Sequence, residues 1–162
     1  MPSSLRMLKN RVQRVNKGLI SPDGTLAATC SADFTCRLWS LDTGRQLFCF
    51  PSSSSALNNY SFSPDSTRIV VSAEQRGHVY ELATGGVVAE LKHCDEDGQE
   101  SSMNDCAFSP DGAHIVGAND ARVAVVWAAD TGARIRSLQG HWRAVLSAQY
   151  SQDGRHIVTS SE

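Results

Sequence analysis

The sequence predicts an all-β chain built from a repeated four-stranded antiparallel unit. Three observations predict it. A serine-aspartate turn recurs four times, as Ser21-Pro22-Asp23-Gly24, Ser63-Pro64-Asp65-Ser66, Ser109-Pro110-Asp111-Gly112 and Ser151-Gln152-Asp153-Gly154. The spacings are 42, 46 and 42 residues, the period of one supersecondary unit. A second turn follows in three copies, Asp42-Thr43-Gly44, Ala83-Thr84-Gly85 and Asp130-Thr131-Gly132, and no stretch after residue 22 carries a helical period.

The elements of one unit follow in order. An apolar residue precedes each first turn: Ile20, Phe62, Phe108 and Tyr150. Pro at the second turn position fixes φ, and Gly tolerates the last. Short β-type runs come next: Leu26–Thr29, Arg68–Ser72, His114–Gly117 and His156–Thr159. Eighteen residues after Ser21 and Ser109 stand Trp39 and Trp127, and seventeen after Ser63 stands Tyr80. The Thr-Gly turn then reverses the chain. The runs Gln46–Phe50, Val87–Leu91 and Ile135–Leu138 close the units. Four short runs separated by turn signals make an antiparallel meander. A four-strand unit of this period is a propeller blade rather than a helical repeat.

The units resemble WD repeats of the β-propeller superfamily. The resemblance rests on the first turns, on Cys36-Arg37-Leu38-Trp39 and Val125-Val126-Trp127, on the Asp-Thr-Gly turns, and on Gly140-His141 opening the last unit. It covers the chain from about residue 10 to Glu162. The Trp-Asp dipeptide is absent: the copies read Trp39-Ser40, Tyr80-Glu81 and Trp127-Ala128. The resemblance implies a buried network of His, Ser/Thr, Asp and Trp in each blade. Asp33 and Trp39 offer part of it in blade one, Asp120 and Trp127 part in blade three, and His141 its start in the last unit. A half-satisfied network loses its benefit.

The unit count predicts one partial propeller over residues 1–162, with blades near 14–50, 57–91 and 103–138 and a half-blade at 144–162. Leu5–Asn10 aligns with Ile135–Gly140, which predicts an N-terminal outer strand. The expectation is a segment of a larger propeller, a truncated product, or a protein completed by a partner. Self-association through open blade edges is expected with it. A rival reading of residues 1–20 is a basic amphipathic helix. Leu5, Leu8, Val12, Val15 and Leu19 fall at helical spacing among five cations and no acid.

Composition sets the broad class. The chain has 162 residues, 41% hydrophobic and 20% charged, which is one ordinary globular domain. A net charge of −2 argues against a basic nucleic-acid binder. No apolar run is long enough for a membrane span. Cys30, Cys36, Cys49, Cys94 and Cys106 are odd in number and hold no C-x-x-C. We read them as reduced core thiols of a cytoplasmic or nuclear protein.

Chemistry-bearing patterns are few. The turn aspartates read as stabilisers of their own turns. His93, Cys94, Cys106 and His114 lack a zinc spacing. No nucleophile elbow or phosphate-binding loop occurs. No catalytic residue, cofactor or metal is therefore expected. Two features suit a protein contact. Trp142-Arg143 sits on a connection between units, where it either anchors a partner or packs on a neighbouring blade. The connection one unit earlier is longer and carries Asp95, Glu96, Asp97 and Glu100, which either serve a contact or form a solvated acidic loop. The expected function is a non-catalytic scaffold for protein or peptide partners. Its rivals are the regulatory portion of a larger signalling NTPase and an enzyme-type propeller.

Overall fold

The computed structural model describes residues 14–51, 60–73, 76–92 and 101–162. Strands β1 (Val15–Ile20), β2 (Leu26–Ser31), β3 (Thr35–Ser40) and β4 (Gln46–Pro51) form an antiparallel sheet in chain order. Strands β5 (Tyr60–Phe62), β6 (Arg68–Ala73), β7 (Arg76–Glu81) and β8 (Val87–Lys92) repeat the meander. So do β9 (Met103–Phe108), β10 (His114–Asn119), β11 (Ala124–Ala128) and β12 (Arg134–Leu138). Strands β13 (Val145–Tyr150) and β14 (Ile157–Ser161) pair as a two-stranded sheet. The described residues contain no helix. This is the architecture of three propeller blades and a half-blade.

Residues Val15–Ile20, where the helical and strand readings competed, form β1 and pair with β2. The remainder of that segment, including the aligned run Leu5–Asn10, lies outside the described residues.

The blades bury both faces, which is why their second strands are continuous apolar runs. On β6, Ile69 and Val71 enter the core shared with the first blade, and Val70 between them enters the core shared with the third. On β10, Ile115 faces the second blade and Val116 the half-blade. The counterpart of Val116 on β14 is Val158, which is 69% exposed.

The third strand of each full blade carries a recurring irregularity. Its pairing with the fourth strand shifts register at Leu38/Trp39, Val79/Tyr80 and Val126/Trp127. A bulge at this place re-aims the aromatic side chain. The meander also sorts the connections. First turns and Thr-Gly turns fall on one rim, while the β2–β3 and β10–β11 tips and the β12–β13 connection fall on the opposite rim.

Candidate functional site

The seams between blades hold the aromatics that the spacing picked out. Trp127 is fully buried, and its Nε1 donates to the carbonyl of Lys92 at the end of β8, at 3.3 Å. Tyr80 stacks on Phe50 at the end of β4, with ring centroids 4.2 Å apart. Burial pushes the Tyr80 phenol up. The third strands of the second and third blades thus reach the outer strand of the blade before. Trp39 bonds within its own blade, its Nε1 donating to Thr29 Oγ1 at 2.9 Å.

The turn rim is uniform. In each first turn the serine hydroxyl donates to the aspartate: Ser21 to Asp23, Ser63 to Asp65 and Ser151 to Asp153 at 2.6 Å, and Ser109 to Asp111 at 2.5 Å. The same serine oxygen accepts an amide five residues on, at 2.9 Å in every copy. The serine hydroxyl, joined by a backbone amide, holds each of the four carboxyls below the usual carboxylate range. These acids are occupied in their own turns. Neighbouring turns touch as well: the Asp23 amide donates to Ser66 Oγ at 3.1 Å.

The opposite rim is irregular, and there Trp142 and Arg143 lie. At the β2–β3 tip, Asp33 accepts from Thr35 Oγ1 at 2.6 Å and from Arg37 at 2.8 Å. Burial works against the Asp33 carboxylate, but Thr35 and Arg37 outweigh it and hold the carboxyl low. Asp120, at the β10–β11 tip, is exposed and accepts from Asn104 Nδ2 at 2.7 Å. It stands one position before the counterpart of Asp33, so it serves the first strand of its blade instead. His141 Nε2 and Thr159 Oγ1 lie 2.7 Å apart, tying the connection before β13 to β14.

Trp142 is 90% exposed and packs on no neighbouring blade. Arg143 reaches Glu162 at 3.9 Å, with its side chain 71% exposed. The tips of this rim also expose Phe34 and Arg122, both with positive φ, 63° and 66°. Asp95, Glu96, Asp97 and Glu100 fall outside the described residues, as do His93 and Cys94. Three further cysteines, Cys30, Cys36 and Cys106, are buried, whereas Cys49 is exposed. Among the described residues no group of three or more His, Cys, Asp or Glu is placed to hold a metal ion.

Sequence reasoning passed over one polar seam. Asp105 and Asn104, adjacent on β9, are both buried and both bond into the half-blade. Asn104 Nδ2 donates to the Val145 carbonyl at 3.0 Å. The available signal was two polar residues inside the otherwise apolar strand Met103–Phe108.

Comparison with known proteins agrees with this architecture. The family described as WD domain, G-beta repeat, matches residues 4–40, 89–127 and 132–162. Most of the second blade escapes the match, and it is the copy with Tyr80 in place of Trp and Ser66 in place of Gly. Apoptotic protease-activating factor 1 of Homo sapiens is 28% identical over 155 residues, 88% of this chain and 12% of that protein. Eukaryotic translation initiation factor 3 subunit I of Pyricularia oryzae is 30% identical over 158 residues, 87% of this chain and 44% of that protein. The same subunit of Scheffersomyces stipitis is 29% identical over 169 residues, 88% of this chain and 46% of that protein. The chain thus spans less than half the length of each of these relatives. With the family matched over more than half of its residues and repeated blades in its fold, the chain belongs to the WD-repeat family.

Proposed function

We propose that the chain is a non-catalytic interaction scaffold that presents its irregular rim to a protein or peptide partner. The observation that carries this reading is the contrast among its tryptophans. Trp39 and Trp127 are 5% and 0% exposed, and Trp142 is 90% exposed beside Arg143. An exposed Trp beside Arg is a residue pair enriched at the energetic centres of interfaces. In the repeat, Asp95, Glu96 and Asp97 precede β9 as Trp142 precedes β13, and we take them as parts of one contact. A partner with an apolar pocket in a basic surround fits both features. Trp142 would supply most of the affinity, and the acids would speed encounter. The setting is cytoplasmic or nuclear; among the described residues no helix is long and apolar enough to cross a membrane.

The test begins with affinity purification of the tagged chain and identification of what it retains. Binding of that partner is then measured at two ionic strengths, with variants of unchanged circular dichroism. Trp142→Ala is expected to weaken binding by about 2 kcal/mol or more. Neutralising Asp95, Glu96 and Asp97 is expected to slow association, with the loss fading at high salt. Parental binding by both variants would place the contact elsewhere.

A second reading, the regulatory portion of a larger signalling NTPase, draws on the match to 12% of apoptotic protease-activating factor 1. It expects nucleotide labelling of the protein isolated from cells, at a segment outside these residues.

A further inference from the structure

Cys30 and Cys36 lie directly opposite each other in the β2–β3 ladder. The ladder's alternation defines what kind of pair they are. The Leu41 amide donates to the Thr25 carbonyl at 2.9 Å, so 25 and 41 are a hydrogen-bonded pair. Pairs alternate from there, and 30/36, five steps along, is a non-hydrogen-bonded pair. Such pairs hold their Cα atoms about 4.5 Å apart, inside the roughly 4.4–6.8 Å range of disulfides.

Both side chains are fully buried and both thiols are free. They share a core with Ala28, Leu38, Phe50 and Tyr60. The blade architecture does not require them. The equivalent pairs are Ser72 opposite Gly77 and Ala118 opposite Ala124.

We propose that Cys30 and Cys36 are a redox pair that hydrogen peroxide converts to a cross-strand disulfide. The thiolate of one cysteine attacks a peroxide oxygen. The O–O bond breaks, and the leaving hydroxide takes up a proton to become water. The second thiol then attacks the sulfenic sulfur. The S–S bond forms, the S–O bond breaks, and a second water leaves. The two thiols together lose two electrons and two protons, and the peroxide is reduced to two waters. The Cys30 sulfur and burial push the Cys36 thiol up, so its thiolate is scarce while the pair stays enclosed. Burial makes the first step depend on local opening of the sheet. Sustained oxidant therefore drives the reaction, and a brief pulse does not. The cross-link closes the hairpin whose tip exposes Phe34, and it removes the freedom of that tip.

The test uses the whole folded chain. Samples with hydrogen peroxide and with reductant are denatured in N-ethylmaleimide, digested with trypsin without reduction, and weighed. The peptide Gly18–Arg37 contains both cysteines and no internal Lys or Arg. After oxidation it is expected to lose both maleimide adducts and two hydrogens. The reduced sample keeps both adducts. Retention of both adducts after oxidation, or linkage of either cysteine to a different one, overturns the proposal. In Cys36→Ala, Cys30 is expected to be trapped by dimedone as the sulfenic acid. Should that variant not fold, the parent supplies the second readout. Its urea midpoint is expected to rise on oxidation and return with dithiothreitol, and an unchanged midpoint overturns the proposal.

Discussion

Asp105 on β9 accepts a hydrogen bond from the Ser147 hydroxyl on β13 at 2.5 Å, and another from the Ala148 amide at 3.3 Å. A carboxylate only 8% exposed thereby joins the third blade to the half-blade through charge-assisted bonds. The equivalent residue of the first blade is Lys17, whose ammonium lies 5.3 Å from the ring centroid of Tyr60. Tyr60 is the counterpart of Ala148. One strand position thus reaches the same place in the next sheet, with opposite charges at two different seams.

Removing the carboxylate isolates its donors. Asp105→Ala is expected to cost about 1–3 kcal/mol, because the Ala148 amide loses a buried partner. Urea denaturation measures the loss, and an unchanged midpoint would show that the seam does not depend on this bond.

Two turn positions should respond in opposite directions. Ser66 holds a φ of 59°, where the other three first turns have glycine. Ser66→Gly relieves the backbone cost of about 1 kcal/mol and gives up the 3.1 Å bond from the Asp23 amide. The net expectation is a small gain or no change in the urea midpoint. Gly132, at φ 69°, has no such latitude: a Cβ there would stand 2.1 Å from the Glu90 carbonyl oxygen. Gly132→Ala must force the second and third blades apart. It is expected to lower the midpoint more than any other single turn substitution, by about 2 kcal/mol or more.

Acid sensitivity follows from the turn aspartates. Asp23, Asp65, Asp111 and Asp153 titrate lower in the folded chain than in an unfolded one. Their stabilisation is complete above the unfolded value, near about 3.9, and is lost as pH falls through the folded value. Urea midpoints should therefore decline below about pH 4. Asp65→Asn combined with Asp111→Asn should flatten that decline. All four side chains are solvent-facing, so screening keeps each contribution small.

The tryptophans give a further contrast. Trp127→Ala empties a fully buried site and is expected to cost about 3–5 kcal/mol. Trp142→Ala is expected to change stability by less than about 0.5 kcal/mol. Acrylamide quenching separates the two: the readily quenched part of the fluorescence should vanish in Trp142→Phe and persist in Trp39→Phe.

Turn chemistry and strand order were readable from the sequence because they depend on local residues. Ser-Pro-Asp-Gly specifies its own hydrogen bonds, and the 42-residue interval places four runs in a meander whatever surrounds them. The aromatic positions Trp39, Tyr80 and Trp127 were readable for the same reason, since their distance from the turn is constant to within one residue. Their partners were not. Whether an indole donates to Thr29 within its blade or to Lys92 in the blade before depends on how two sheets approach, and no spacing records that approach. Asp105 and Ser147, 42 residues apart, meet for the same reason. Asp120 shows the converse: one residue out of register placed it on an exposed tip beside Asn104. The exposure of Trp142 was likewise decided by tertiary structure. A tryptophan on a connection is buried or bare according to whether another sheet covers it, and the packing of the third blade against the half-blade leaves this one uncovered.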